Sequence, residues 1–223
     1  SYLAADVAAI RALVVATEKM QAEDYAVLAK VQGDVSWLNP AHEDNYYIAA
    51  AILPWVGQLD AAQNVLYRAS QARPFDYQPA FYYAFNLLHF KGDAAGASLA
   101  LREAAERLPE GDNRVQMQNL AAIWLDKTED TELAIRVVDV MAKQAKRPDF
   151  RRYLEQRVVR LKNLQKLRVA AASYQSRTGR APTTLDELAR AGLIAAVPAD
   201  PFGFGFAIAK NGQIVLRNSP PRR

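Results

Sequence analysis

Apolar residues recur at three- and four-residue intervals through most of the chain, with alanine abundant and glycine or proline falling mainly between the periodic stretches. That period marks helices with one buried face. It predicts helices over about residues 2–20, 24–32, 43–56, 59–73, 79–90, 93–108, 112–126, 131–145, 149–176 and 184–191. The intervening turns are short, so consecutive helices are expected to lie antiparallel. The period changes only near the end, where Phe204 to Leu216 holds two alternating apolar runs around Asn211-Gly212. This predicts a two-stranded hairpin, which must pack on the preceding helix or on a partner because a lone hairpin is marginal in water.

Laid on itself with a shift of 35 residues, the chain matches Gly57 with Gly92, Ala62 with Ala97, Leu66 with Leu101, Ala69 with Ala104 and Pro74 with Pro109. A glycine after a helix ends it in a left-handed conformation without steric cost. Small alanines let the second helix of a pair approach the first closely, and the leucine fills the space one turn on. The proline stops the second helix and frees the next pair to begin. A weaker third unit repeats the spacing in Ala134, Val138 and Met141, counted from Glu129.

This succession of turn glycine, alanine, leucine, alanine and proline resembles the second half of the tetratricopeptide repeat, over residues 43 to 145. The resemblance implies a mainly α fold, a tetratricopeptide-like α-solenoid of helical hairpins followed by a small C-terminal αβ module that ends in a β-hairpin. Residues 1–147 are then a helical repeat region with N-terminal capping helices, and residues 148–223 a long basic helix plus the αβ module. Such repeats bind peptides along their first helices, which here carry Tyr46, Tyr47 and Trp55, then Phe81, Tyr82, Tyr83, Phe85 and Phe90. The resemblance places Tyr46, Tyr47, Tyr82, Tyr83 and Asn86 on a partner-binding groove, and tyrosine suits recognition, with large area and few rotors. The alternative is packing between neighbouring pairs. Adjacent helical residues point about 100° apart, so both members of a doublet cannot enter the core along one line.

From the last turns of the long helix onward, the succession Ala170-Ala171-Ala172-Ser173-Tyr174, Gly179, Pro182, Leu185, Glu187-Leu188, Pro198 and Asp200-Pro201-Phe202-Gly203 resembles the helix-to-sheet junction of type II secretion pseudopilins. Thr184 and Glu187 have capping-box spacing, and Gly192 is placed to stop the short helix. The resemblance implies a bacterial module, often of the cell envelope, though no hydrophobic pilin helix precedes it here. Some pseudopilins hold calcium in this region. Asp200 is the only acid nearby, and calcium takes six to eight oxygens, so no metal is expected.

Composition narrows the remaining classes. With 223 residues, 51% of them hydrophobic, the chain can bury a sizeable core. The absence of cysteine removes disulfides, thiolate zinc sites and thiol nucleophiles. Charges interrupt every apolar run before membrane-spanning length. Ser1 is not an initiator methionine, and a signal or anchor upstream of it stays open, with a periplasmic or periplasm-facing setting favoured over a cytoplasmic one. Net charge is +4, yet residues 1–145 hold 12 basic against 19 acidic residues, −7, while residues 146–223 hold 16 against 5, +11. Arg151, Arg152, Arg157, Arg160, Lys162 and Lys166 are the expected basic surface, either a solvated face or a site for an acidic protein, an anionic membrane or, with least support, nucleic acid.

Catalytic chemistry finds no foothold. His42 and His89 form no ligand pair, Gly203-Phe204-Gly205 lacks the rest of a dinucleotide fingerprint, and no nucleophile elbow occurs. The acids Glu43-Asp44, Glu110 to Asp112 and Glu129-Asp130 stand at helix starts, where they complement the dipole. The expectation is a non-catalytic adaptor with a protein or peptide partner and no cofactor, in a bacterial envelope assembly such as secretion or pilus biogenesis. The competing readings are an enzyme with an unrecognised site and a basic binder of membranes or nucleic acid.

Overall fold

The computed structural model describes residues 21–217, which divide into two compact units, one ending at Leu125 and the other starting at Asp126. The expected helix over 2–20 lies outside the described residues. Nine α-helices and one antiparallel pair of strands are found among those described.

In the first unit, α1 (Ala22–Leu38) packs on α2 (Glu43–Ile52) and α3 (Leu59–Ala72). Then α3 packs on α4 (Gln78–His89), α4 on α5 (Ala94–Glu106) and α5 on α6 (Asp112–Trp124). The helix expected over 24–32 is longer: α1 runs on through Gly33 to Leu38. A helical glycine costs only about 1 kcal/mol, and Val35 and Ser36 beyond it are buried. Pro54 is buried in a 3-10 turn over Leu53–Val56, which Gly57 closes with φ +79°. The six residues of the alanine-leucine-alanine repeat, Ala62, Leu66 and Ala69 with Ala97, Leu101 and Ala104, are all buried. Asp93 caps α5 by accepting the Gly96 N–H at 2.8 Å.

The second unit is organised on α8 (Pro148–Thr178), a 31-residue helix that starts with proline and ends at Gly179 with φ +75°. Against it lie α7 (Thr131–Gln144), the short α9 (Asp186–Arg190) and strand β2 (Ile214–Leu216), which pairs antiparallel with β1 (Phe206–Ile208). Ala134, Val138 and Met141 are buried, but their helix packs on α8. The compact units divide between Leu125 and Asp126, ahead of α7, and the α7 stripe is covered by the helix that follows it.

Two turns differ from expectation in detail. The hairpin forms, but through a three-residue loop: the Gly212 N–H donates to the Ala209 carbonyl at 2.9 Å, the Ala209 N–H to Gln213 at 2.8 Å, and Gly212 has φ +82°. This is a type I turn with a glycine bulge, not a two-residue turn. The Thr184–Glu187 box is not made. Glu187 accepts from the Thr183 N–H at 3.3 Å and from its hydroxyl instead, and Leu185 is the cap residue of α9. At the other end Gly192 and Leu193 close α9, donating to Ala189 and Leu188 at 3.0 Å each, the Schellman pattern.

Candidate functional site

Helices α2 and α4, with the residues just past their C-terminal ends, bring aromatic side chains together in two runs. In one, Tyr46 stacks on Tyr47 at 4.6 Å, Tyr47 meets Tyr82 edge-on at 6.0 Å, and Tyr82 meets Phe81 at 5.8 Å. In the other, Trp55 stands edge-on to Phe90 at 4.9 Å, and Phe90 leads through Phe85 to His89, itself stacked on Phe85 at 4.7 Å. Tyr47, Phe81, Tyr82, Phe85 and Phe90 are each half-buried, and Trp55 is 64% exposed. The result is an aromatic band fixed from beneath and open above.

Two of the expected groove residues do not belong to that open face. Tyr46 is wholly buried against Leu28, Leu53 and Leu66, with its hydroxyl donating to Asp76 at 2.9 Å. Burial, followed by that bond, pushes its phenol far above the ordinary value. Asn86 is buried as well, its amide donating to Gln63 Oε1 at 3.0 Å while Gln63 donates to the Tyr83 carbonyl at 3.2 Å. This polar staple joins α3 to α4, so Asn86 positions the band and presents no atoms to a ligand. Tyr83 turns toward Tyr67, 6.4 Å away. The Tyr46-Tyr47 doublet thus splits, one ring inside and one half outside. Tyr82 is also shifted upward, by burial and then by the charges of Tyr47, Tyr77 and Asp76.

A second set of contacts, not visible in the 35-residue match, fixes the loops between helices. Arg73 donates to the Ala41 carbonyl at 3.0 Å, to Glu43 at 2.9 Å and to Asp76 at 2.8 Å. Farther along the same unit, Arg107 donates to the Asp76 carbonyl at 2.9 Å, to Arg73 O at 3.3 Å and to the Ser70 hydroxyl at 2.8 Å. Each arginine ties its own loop to the loop one hairpin earlier. At the opposite turns Lys91 meets Asp60 at 3.0 Å beside the Trp55–Phe90 contact. Burial would raise the Asp76 carboxyl, but the Gln78 N–H, Arg73 and Tyr46 together hold it below the ordinary carboxylate range.

The basic surface of the second unit is divided. Arg151, Arg152, Lys162 and Lys166 are exposed, but Arg157 and Arg160 are each only 4% exposed and belong to the interior. Arg157 pairs with Asp126 at 2.5 Å and donates to the Tyr153 hydroxyl at 3.0 Å. Arg160 donates to Asp200 at 3.1 Å and to the Arg217 carbonyl at 2.6 Å, between the rings of Phe202 and Phe204. Both are buried because the α8 stripe of Leu154, Leu161 and Leu164 passes through their positions, and a buried guanidinium needs a partner. Burial raises Asp126, against the pull of Arg157 and Arg160. Asp200 also accepts the N–H groups of Phe202 and Gly205, at 3.0 and 2.7 Å. The carboxylate of this turn is thereby engaged by a guanidinium and two amides.

A cleft of about 250 Å³ opens in the second unit beside Arg168, Ala171, Gln175, Pro182 and Gln213. Arg168 is held by the Ile214 carbonyl at 3.0 Å, the Glu129 carbonyl at 3.2 Å and the Thr131 hydroxyl at 2.5 Å, and burial lowers its pKa. It fastens three segments together at the cleft wall. Among the described residues no three of His, Cys, Asp and Glu converge as a metal site, and no helix is long and apolar enough to cross a membrane.

Family models, curated proteins and solved structures all return no match to the chain.

Proposed function

We propose that the first unit is a tetratricopeptide-like array of helical hairpins serving as a non-catalytic scaffold for protein binding. The observation that carries this reading is the aromatic band of α2 and α4, whose rings repeat at the same 35-residue offset as the buried alanines, Tyr47 with Tyr82 and Trp55 with Phe90. Half-buried rings held by neighbours lose little entropy on binding and offer the amphipathic area that dominates recognition surfaces. The arginine ties between successive loops support similarly oriented hairpins, the arrangement an α-solenoid needs. The partner segment lies across Tyr47, Phe81 and Tyr82. The Asp200-Pro201-Phe202-Gly203 turn, through its likeness to pseudopilins, supports an envelope assembly as the setting.

Panning a random peptide library on the folded chain tests the scaffold. Enriched peptides should lose about 2 kcal/mol of binding, roughly thirty-fold, to Tyr82→Ala, a typical loss at a central aromatic. They should be indifferent to Leu99→Ala, an exposed residue on α5. Far-UV circular dichroism checks that both variants fold. Failure to enrich any peptide, or peptides indifferent to Tyr82, would refute the proposal.

A further inference from the structure

The long helix of the second unit keeps one face that nothing in its own unit covers. Arg152, Glu155, Val159, Lys162, Lys166 and Val169 follow one another at intervals of three and four residues, and all six are exposed. They form a straight seam of about 26 Å at 1.5 Å per residue. Val159 is 48% exposed and Val169 62%. Arg152, Lys162 and Lys166 make no ion pair or hydrogen bond among the described residues, unlike Arg157 and Arg160 on the opposite face.

We infer that this seam docks an acidic amphipathic helix of a partner protein, with apolar side chains about ten residues apart that meet Val159 and Val169 and carboxylates between them that meet Lys162 and Lys166. The three-and-four spacing is that of a helix-on-helix seam. A second copy of the chain is a poor occupant. In the two registers that set both valines on valines, parallel in step or antiparallel with Val159 on Val169, Lys162 and Lys166 also fall against lysine, and like charges at a seam select against self-pairing. A bilayer calls for a broad apolar face, and this one has two valines among charged and amide neighbours. A phosphate backbone would meet Glu155 and the valines along the middle of the seam. An acidic helix satisfies every one of these residues except Glu155.

The inference is independent of the aromatic band of the first unit and is tested on the full chain with a synthetic probe. The probe is a fluorescent 21-residue amphipathic peptide, with leucines ten positions apart and glutamates on the two intervening turns. Its control has lysine in place of each glutamate. Fluorescence anisotropy should show the acidic probe binding and the lysine control not. Lys162→Glu with Lys166→Glu should weaken binding at least ten-fold, and Val159→Ser with Val169→Ser at least five-fold. All four sites are exposed, and unchanged circular dichroism shows that the variants fold. The inference is overturned if the acidic probe does not bind, or if the valine variants leave its affinity unchanged. It is equally overturned if phosphatidylserine vesicles or duplex DNA bind more tightly than the probe, or if the chain self-associates through Val159 and Val169.

Discussion

Arg160 and Asp200 form the most completely buried ion pair described, with side chains 5% and 1% exposed. Replacing Asp200 with Asn keeps the shape but leaves the guanidinium uncompensated between Phe202 and Phe204. Removing one member of such a pair costs about 3–5 kcal/mol, most of it the stranded charge. Arg160→Met strands the carboxylate in turn, although Asp200 retains the Phe202 and Gly205 N–H donors. The double variant carries neither charge, so its loss should fall short of the sum of the singles by about 2–3 kcal/mol. Native-state hydrogen exchange of the amides from Val158 to Leu167 reads the stability of the second unit directly. Single losses below about 1 kcal/mol, or losses additive to within about 0.5 kcal/mol, would refute the claim that charge compensation holds the turn to α8.

Two further perturbations test other parts of the structure. Arg107→Ala removes three hydrogen bonds, to Asp76 O, Arg73 O and Ser70; it should lower the stability of the first unit by about 1–3 kcal/mol. Tryptophan fluorescence in urea reports the effect, since Trp37, Trp55 and Trp124 all lie in that unit, and an unshifted midpoint would contradict the role given to the loop ties. The Glu187 carboxyl is held down at about 2 by the Thr183 hydroxyl, then by the Tyr174 hydroxyl at 2.7 Å and Arg180. Its folded value lies below its unfolded one, so its contribution is present above pH 4.5 and lost as pH falls toward 2. The thermal midpoint of Glu187→Gln should therefore trail the wild type at pH 6 and converge with it near pH 2; a constant difference would refute the assignment.

The helices were legible because their signals are local. Gly57, Gly92 and Gly179 end their segments where the chain turns left-handed, and the buried alanines and leucines repeat at a fixed offset. What the sequence left undecided was which face each side chain takes when its partner is distant. Arg157 and Arg160 read as surface because their anions, Asp126 and Asp200, are 31 and 40 residues away. Their place on the stripe of Leu154 and Leu161 was the available sign. Tyr46 and Asn86 were similar cases, with Asp76 and Gln63 supplied by other helices. The aromatic band itself was partly readable, since Tyr47 with Tyr82 and Trp55 with Phe90 share the offset of the alanines. The arginine ties were not, because Arg73 and Arg107 stand 34 residues apart and miss that register by one.

Those ties use main-chain oxygens as acceptors in the preceding loop, at Ala41, Arg73 and Asp76. A carbonyl is carried by every amino acid, so a substitution in the receiving loop leaves the acceptor in place as long as the backbone keeps its path. Sequence change there is buffered, whereas loss of the arginine itself is not. Such asymmetry lets loop composition drift while the tie between one loop and the next is retained, and it makes the arginine donor the side chain on which each tie depends.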